Sequence, residues 1–309
     1  MAIGRKDLLG LQGVPASEIE EILKTADTMR RILESKNKKT PHLQGKSIVT
    51  LFYENSTRTR MSFELASKYM SAAAANIAVS SSSVAKGETL IDTGVTLNQM
   101  GVDVIIIRHH MAGAPHLLAQ HVQASVINAG DGMHEHPTQA LLDMQTMRTH
   151  LGGLSGLKVA IVGDVLHSRV ARSNIWGLQT MGAQVVLCAP PTLLPVGIEQ
   201  TGARVAPTVE DAVEDADVVM ALRIQRERQQ KGLFPSISEY VTYWALDERR
   251  LKLARPGALV MHPGPMNRGV EISSAVADGA QSVIAEQVGS GVAVRMALLY
   301  LLSRRSVEV

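Results

Sequence analysis

The stretch "SIVTLFYENSTRTRMSFELA" (47–66) passes through three textures in succession. Ser47 to Tyr53 is an apolar, β-branched run, the signature of a strand. The next residues crowd together an asparagine, three hydroxyls and two arginines. Behind them Phe63, Ala66 and Met70 recur at i, i+3 and i+7, which predicts a helix. Strand, polar turn and helix in this order are the repeating unit of α/β proteins.

The same rhythm extends outward. "ANIAVS" (75–80), "DVIIIR" (103–108) and "SVINAG" (125–130) continue it in the first half. "KVAIVGD" (158–164), "AQVVLCA" (183–189), "DVVMALR" (217–223) and "GALVMHPG" (257–264) repeat it in the second. Continuous apolar runs suit strands covered on both faces. The expected fold is therefore α/β, with two doubly wound domains, each a central parallel sheet flanked by helices. In "HPTQALLDMQTMRTHL" (136–151), Leu141, Met144 and Met147 keep helical spacing, and "GGLSGL" follows as a loop. The expected domains are 1–150 and 151–287. A final helix in "GVAVRMALLYLL" (291–302), apolar on most sides, is expected to pack back on the first domain across 288–309.

Composition narrows the function. The 309 residues are 45% hydrophobic and 19% charged, the profile of a globular chain, and the net charge is only +2. That charge, with three Phe, two Trp and five Tyr, argues against nucleic-acid binding. One cysteine, Cys188, excludes an intrachain disulfide and a cysteine metal cluster. No signal peptide or membrane span is readable, so the expected location is cytoplasmic, with an acidic helix starting near Ser17.

The polar clusters follow the strands. "NSTRTR" follows the first, "SSSVAKGET" the second, and Arg108 closes the third; "DGMHEHPTQ" follows the fourth, "VLHSRVARSN" the fifth, "RIQRER" the seventh and "HPGPMNRG" the eighth. Ligands of parallel α/β sheets bind outside the carboxyl ends of strands, so a single active site in the interdomain cleft is expected. Ser56 is placed to cap its helix, and a helix N-terminus reinforced by guanidinium and hydroxyl groups suits a phosphate. The chain has neither GxxxxGK[ST] nor G-x-G-x-x-G, so a small phosphate-bearing substrate is expected in place of NTP or NAD. Arg169 and Arg223, at the ends of separate strands with no acid run beside them, suit a ligand with two carboxylates, although structural salt bridges explain either alone. The histidines of "MHEHP" and "RHH" form a weak zinc pattern. His136 before Pro137 reads better as a neutral hydrogen-bond donor at a helix start, so no metal and no cofactor are expected.

Together and in this order, "STRTR", "SSSVAKGET", "VIIIRH", "HPTQALLD", "HSRVARSN", "RIQRER" and "HPGPMNRGVEI" resemble the catalytic chains of the aspartate carbamoyltransferase family over essentially the whole sequence. "STRTR" and "HPTQ" alone would indicate only the superfamily that includes the ornithine enzymes. Those carry Asp-x-x-x-Ser-Met-Gly and His-Cys-Leu-Pro segments, which are missing here. The resemblance implies carbamoyl transfer from carbamoyl phosphate to L-aspartate in pyrimidine biosynthesis. It implies that Ser56, Thr57, Arg58 and Thr59 bind phosphate, and that Thr59, Arg108 and His136 converge on the carbamoyl oxygen, with Gln139 at the same end. The Gly264–Pro265 backbone would close over the carbamoyl group, and Arg169, Arg223 and Gln225 would grip aspartate. Lys86 would enter the neighbouring subunit's site in a homotrimer, with regulatory chains or a dihydroorotase as further assembly partners left open. Asn55 and Met61 depart from common family residues, and Arg60 is assigned to structure.

Overall fold

The computed structural model describes residues 3–78, 87–225, 233 and 236–303. The chain divides into two compact units, Met1–Leu142 with Val288–Val309, and Asp143–Gln287. The division falls inside a helix, Pro137–Leu151, whereas the sequence pattern places it at that helix's end, after residue 150.

In the first unit, helix α1 (Ala16–Glu34) buries Ile19, Ile22, Leu23, Ala26 and Met29, an i, i+3, i+4 stripe. Strands β1 (Ser47–Phe52), β2 (Ala73–Ala78), β3 (Val104–His109) and β4 (Ser125–Asp131) form a parallel sheet of order β2-β1-β3-β4. Helices α2 (Thr57–Tyr69), α3 (Leu90–Gln99) and α4 (Ala114–Ala119) make the crossovers. Val49, Leu51, Ile105, Ile107 and Val126 meet Leu97 and Leu118 in one core. A segment with no strand signature covers the edge of β4. Leu8 N–H donates to the Val126 carbonyl at 2.9 Å and the Leu8 carbonyl accepts from Asn128 N–H at 2.9 Å. Asp7 Oδ1 accepts from Val126 N–H.

Helix α5 (Pro137–Leu151) leads to the second unit. There β5 (Lys158–Gly163), β6 (Gln184–Cys188), β7 (Arg204–Val205), β8 (Val218–Leu222) and β9 (Leu259–Met261) are all parallel in the order β7-β6-β5-β8-β9. Helices α6 (Arg169–Thr180), α7 (Val209–Val213), α8 (Ile237–Trp244), α9 (Glu248–Leu251) and α10 (Ser274–Ala277) precede the long α11 (Ile284–Ser303). Among the described residues there are nine strands where the pattern predicts eight. The extra one, β7, has two residues, too few to show periodicity. Cys188 is fully buried in the second core, and desolvation pushes its thiol up to about 12, an inert packing group.

Both sheets reverse direction beside their central strand. The chain runs from β1 out to β2 and returns on the far side as β3; likewise β5 runs out through β6 and β7 and returns as β8. Each reversal opens a crevice at the strands' carboxyl ends, between β1 and β3 and between β5 and β8. Gly163 marks the second, with φ +130° and a hypothetical Cβ only 2.6 Å from the Leu222 carbonyl oxygen.

Candidate functional site

The first crevice receives the residues around the start of α2. Ser56 stands at the N-cap as expected, in extended conformation, yet its hydroxyl makes no capping bond. Thr57 and Arg58 are exposed at the first turn, while Thr59 is buried and its carbonyl accepts from Ser62 Oγ. A helix start carrying exposed N–H, hydroxyl and guanidinium donors is suited to an anion. Asn55 and Met61 are both exposed, flanking this turn.

Arg108, near the end of β3, gathers the neighbouring strand ends. Its Nη1 donates to the Ala129 carbonyl at 3.1 Å and its Nη2 to Glu54 Oε1 at 3.2 Å. Glu54 thus orients a residue named from the sequence while itself escaping notice; its signal was its place beside the donor cluster. His136 and Gln139 are buried at the start of α5, and the His136 carbonyl accepts the Gln139 and Ala140 N–H groups.

The turn that delivers His136 is built on Asp131, a fully buried carboxylate. It accepts from Gly113 N–H at 2.7 Å, Asn128 Nδ2 at 2.8 Å, Glu135 N–H at 3.1 Å and His134 Nδ1 at 3.1 Å. Burial alone would raise its pKa, but hydrogen bonds from His134, Asn128 and Gly113 outweigh it and hold the carboxyl below its ordinary value. Gly132 allows the turn to lie against the 110–112 loop, since a Cβ there would stand 2.8 Å from Ala112 N. Glu135 fixes the turn's other side by accepting from Leu11 N–H at 2.8 Å.

The second crevice is built on another buried acid, Asp164, immediately after β5. Its Oδ1 accepts from His167 Nδ1 at 2.8 Å and from His167 N–H, and its Oδ2 accepts from Gln225 N–H at 3.3 Å. Gln225 Nε2 in turn donates to the His167 carbonyl. This ring draws together Arg169, buried at the first turn of α6 after the Ser168 cap, and the Arg223–Gln225 segment after β8. Neither arginine is without a partner.

Gly264 and Pro265 follow β9 and are joined by a cis peptide. Gly264 N–H donates to His262 Nδ1 at 2.8 Å, so the His262 proton sits on Nε2, which faces Glu271 Oε1 at 3.2 Å. Asn267 N–H also donates to Glu271, and its Nδ2 reaches the Ile224 carbonyl at 3.3 Å. Below, Gln287 accepts from His262 N–H and donates to Asp143, which also receives Asn174 Nδ2. The structure thus brings the Gly264 loop to the end of β8, beside Arg223 and Gln225. Lys86 lies outside the described residues.

The chain matches known proteins in two consecutive parts. Residues 6–149 match the aspartate/ornithine carbamoyltransferase carbamoyl-P binding domain, and residues 155–302 the Asp/Orn binding domain of the same family. The chain is 67% identical over 307 residues to an aspartate carbamoyltransferase catalytic subunit of Ruminiclostridium cellulolyticum, covering 99% of this chain and 98% of that one. Among solved structures, aspartate transcarbamoylase from Trypanosoma cruzi in complex with carbamoyl aspartate and phosphate superposes with TM-score 0.86 at 29% identity over 95% of each chain. Ornithine carbamoyltransferase from Pyrococcus furiosus gives the same TM-score, 0.86, at 29% identity over 97% of this chain and 98% of that one. The backbone alone therefore does not choose the amine substrate. With both domain models matched across nearly all of its length, the chain belongs to the aspartate/ornithine carbamoyltransferase family.

Proposed function

We infer that the chain transfers the carbamoyl group of carbamoyl phosphate to the amine of L-aspartate, giving N-carbamoyl-L-aspartate and phosphate for pyrimidine biosynthesis. The observation that carries the choice of aspartate is the cluster around Asp164, where Arg169, Arg223 and Gln225 are assembled at one crevice. Two guanidinium forks suit two carboxylates; ornithine has only one. The identity of 67% to an aspartate carbamoyltransferase catalytic subunit supports the same reading.

In this reading Ser56, Thr57, Arg58 and Thr59 hold the phosphate at the α2 N-terminus. Thr59, Arg108 and His136 donate to the carbamoyl oxygen, Gln139 holds the carbamoyl amide, and the Gly264–Pro265 backbone closes on the same group. The amine lone pair of aspartate attacks the carbonyl carbon, and charge grows on its oxygen. The C–O bond to phosphate then breaks, and the departing phosphate takes the electron pair and the amine proton. No enzyme nucleophile is needed. Orientation and oxyanion stabilisation do the chemistry, each donor contributing about 3–4 kcal/mol in comparable sites. The active species is a cytoplasmic homotrimer in which Lys86 completes the aspartate side of a neighbouring subunit's site.

The test is product formation with L-aspartate against L-ornithine at equal concentration of purified enzyme. Carbamoyl aspartate is expected; preference for ornithine overturns the assignment.

A further inference from the structure

Asp131, which organises the His136 turn, also lies at the centre of a group that the reaction does not use. His116 on α4 and His134 after β4 each offer one ligand atom to it, and these two atoms and a carboxylate oxygen of Asp131 lie within 4.8 Å of one another. The two imidazole rings meet edge to face at 5.4 Å. His116 Nδ1 is buried with no hydrogen-bond partner. We propose that His116, Asp131 and His134 form a binding site for one divalent transition-metal ion of the zinc class.

The ligand set fits that class. Two imidazoles and a carboxylate, without thiolate, suit Zn²⁺ or Co²⁺ and are a poor match for Mg²⁺ or Ca²⁺, which prefer oxygen. A tetrahedral ion with bonds of about 2.0–2.1 Å needs its ligand atoms about 3.3 Å apart. From a spread of 4.8 Å this requires a closure of about 1.5 Å at most. His134, a third exposed, can supply it by side-chain rotation.

The site is also preorganised in the way metal centres are. Asp131 is held by Gly113 N–H, three residues before His116, and by Asn128 Nδ2 and Glu135 N–H. These outer bonds leave the His134 contact as the one an ion would replace, with the proton of His134 Nδ1 released to solvent. A cavity of 370 Å³ opens onto His116, His134 and Glu135, with room for a water ligand. Two cations share its wall, but both are engaged. Arg5 pairs with Glu18 at 2.5 Å, and Lys6 donates to the Ala119 and Val122 carbonyls. A bound ion would fasten α4, through His116, to the turn that carries His136.

The test uses the full chain, stripped with a chelator and titrated with Zn²⁺ by calorimetry and with Co²⁺ by visible absorption. One ion per chain is expected, with a Co²⁺ ligand-field band. His116→Gln and His134→Gln should each weaken binding at least about 100-fold and abolish the band, while His167→Gln retains both. Circular dichroism and Tm without metal establish that the variants are folded. Absence of stoichiometric binding by the wild-type chain, or undiminished affinity in both His116→Gln and His134→Gln, overturns the proposal.

Discussion

Asp131-x-x-His134 in the first unit and Asp164-x-x-His167 in the second are the same local device used twice. Each acid is fully buried at the carboxyl end of a strand, the edge strand β4 or the central strand β5, and each accepts from the ring nitrogen of a histidine three residues on, at 3.1 and 2.8 Å. Each stands five residues before a proposed substrate contact, His136 and Arg169. They differ in the third element that reaches them. Asp131 collects Gly113 and Asn128, tying down a loop; Asp164 collects Gln225, joining the ends of β5 and β8. A short sequence motif thus places a carboxylate, and topology decides what that carboxylate organises.

The comparison breaks most visibly where a ligand contact is exposed. Arg58→Ala is expected to lower kcat/KM by about 10³-fold or more and to abolish phosphate protection, because it removes a charged donor from the proposed phosphate seat. His136→Ala should lower kcat about 100-fold with little change in carbamoyl phosphate affinity, since its hydrogen bond strengthens as charge grows on the oxygen. Equal loss in both parameters, read from steady-state kinetics and equilibrium binding, would remove His136 from the transition state.

The two acids can then be set against each other. Asp164→Asn weakens the acceptor for His167 and Gln225, and is expected to raise KM for aspartate about tenfold while carbamoyl phosphate binding is unchanged. Asp131→Asn should instead cost about 2 kcal/mol of stability in urea titrations and leave KM for aspartate alone. Identical phenotypes would show that the two devices do the same job.

The smallest effect is in pH. Asp131 has a depressed folded pKa, so its contribution is complete above the ordinary value of 3.8 and is lost as pH falls through the lower folded value. His109 is shifted the same way from 6.5 by burial and by the charge of neighbouring His110. The unfolded chain therefore takes up that proton first, and stability begins to fall below pH 6.5. Urea midpoints measured from pH 8 downward, with His109→Gln flattening the upper step, check both signs.

Much of this is legible in the sequence, for identifiable reasons. Strand, turn and helix carry local periodicity, so α2 was readable with Ser56 at its start. The unused Ser56 hydroxyl was not readable, since capping depends on a rotamer. Glu54, Asp143 and Asp164 escaped because partners that fix them lie far away in sequence: Arg108 is 54 residues from Glu54, Gln287 is 144 from Asp143, and Gln225 is 61 from Asp164. Polar residues that will be buried look like any others until the topology brings them inside. The paired Asp-x-x-His pattern at two strand ends was a local signal for Asp131 and Asp164.

The segment around Leu8 has a practical consequence. By pairing with Val126 and Asn128 it satisfies backbone groups on the outer strand of the first sheet, and Leu11 and Gln12 engage Glu135 beside His136. Trimming the chain through Gln12 would therefore uncover a bare β-edge, a template for chain-to-chain stacking, as well as loosen the turn. Precipitation of such a shortened protein would reflect lost edge protection. Any purification handle belongs upstream of a preserved Asp7–Gln12 run.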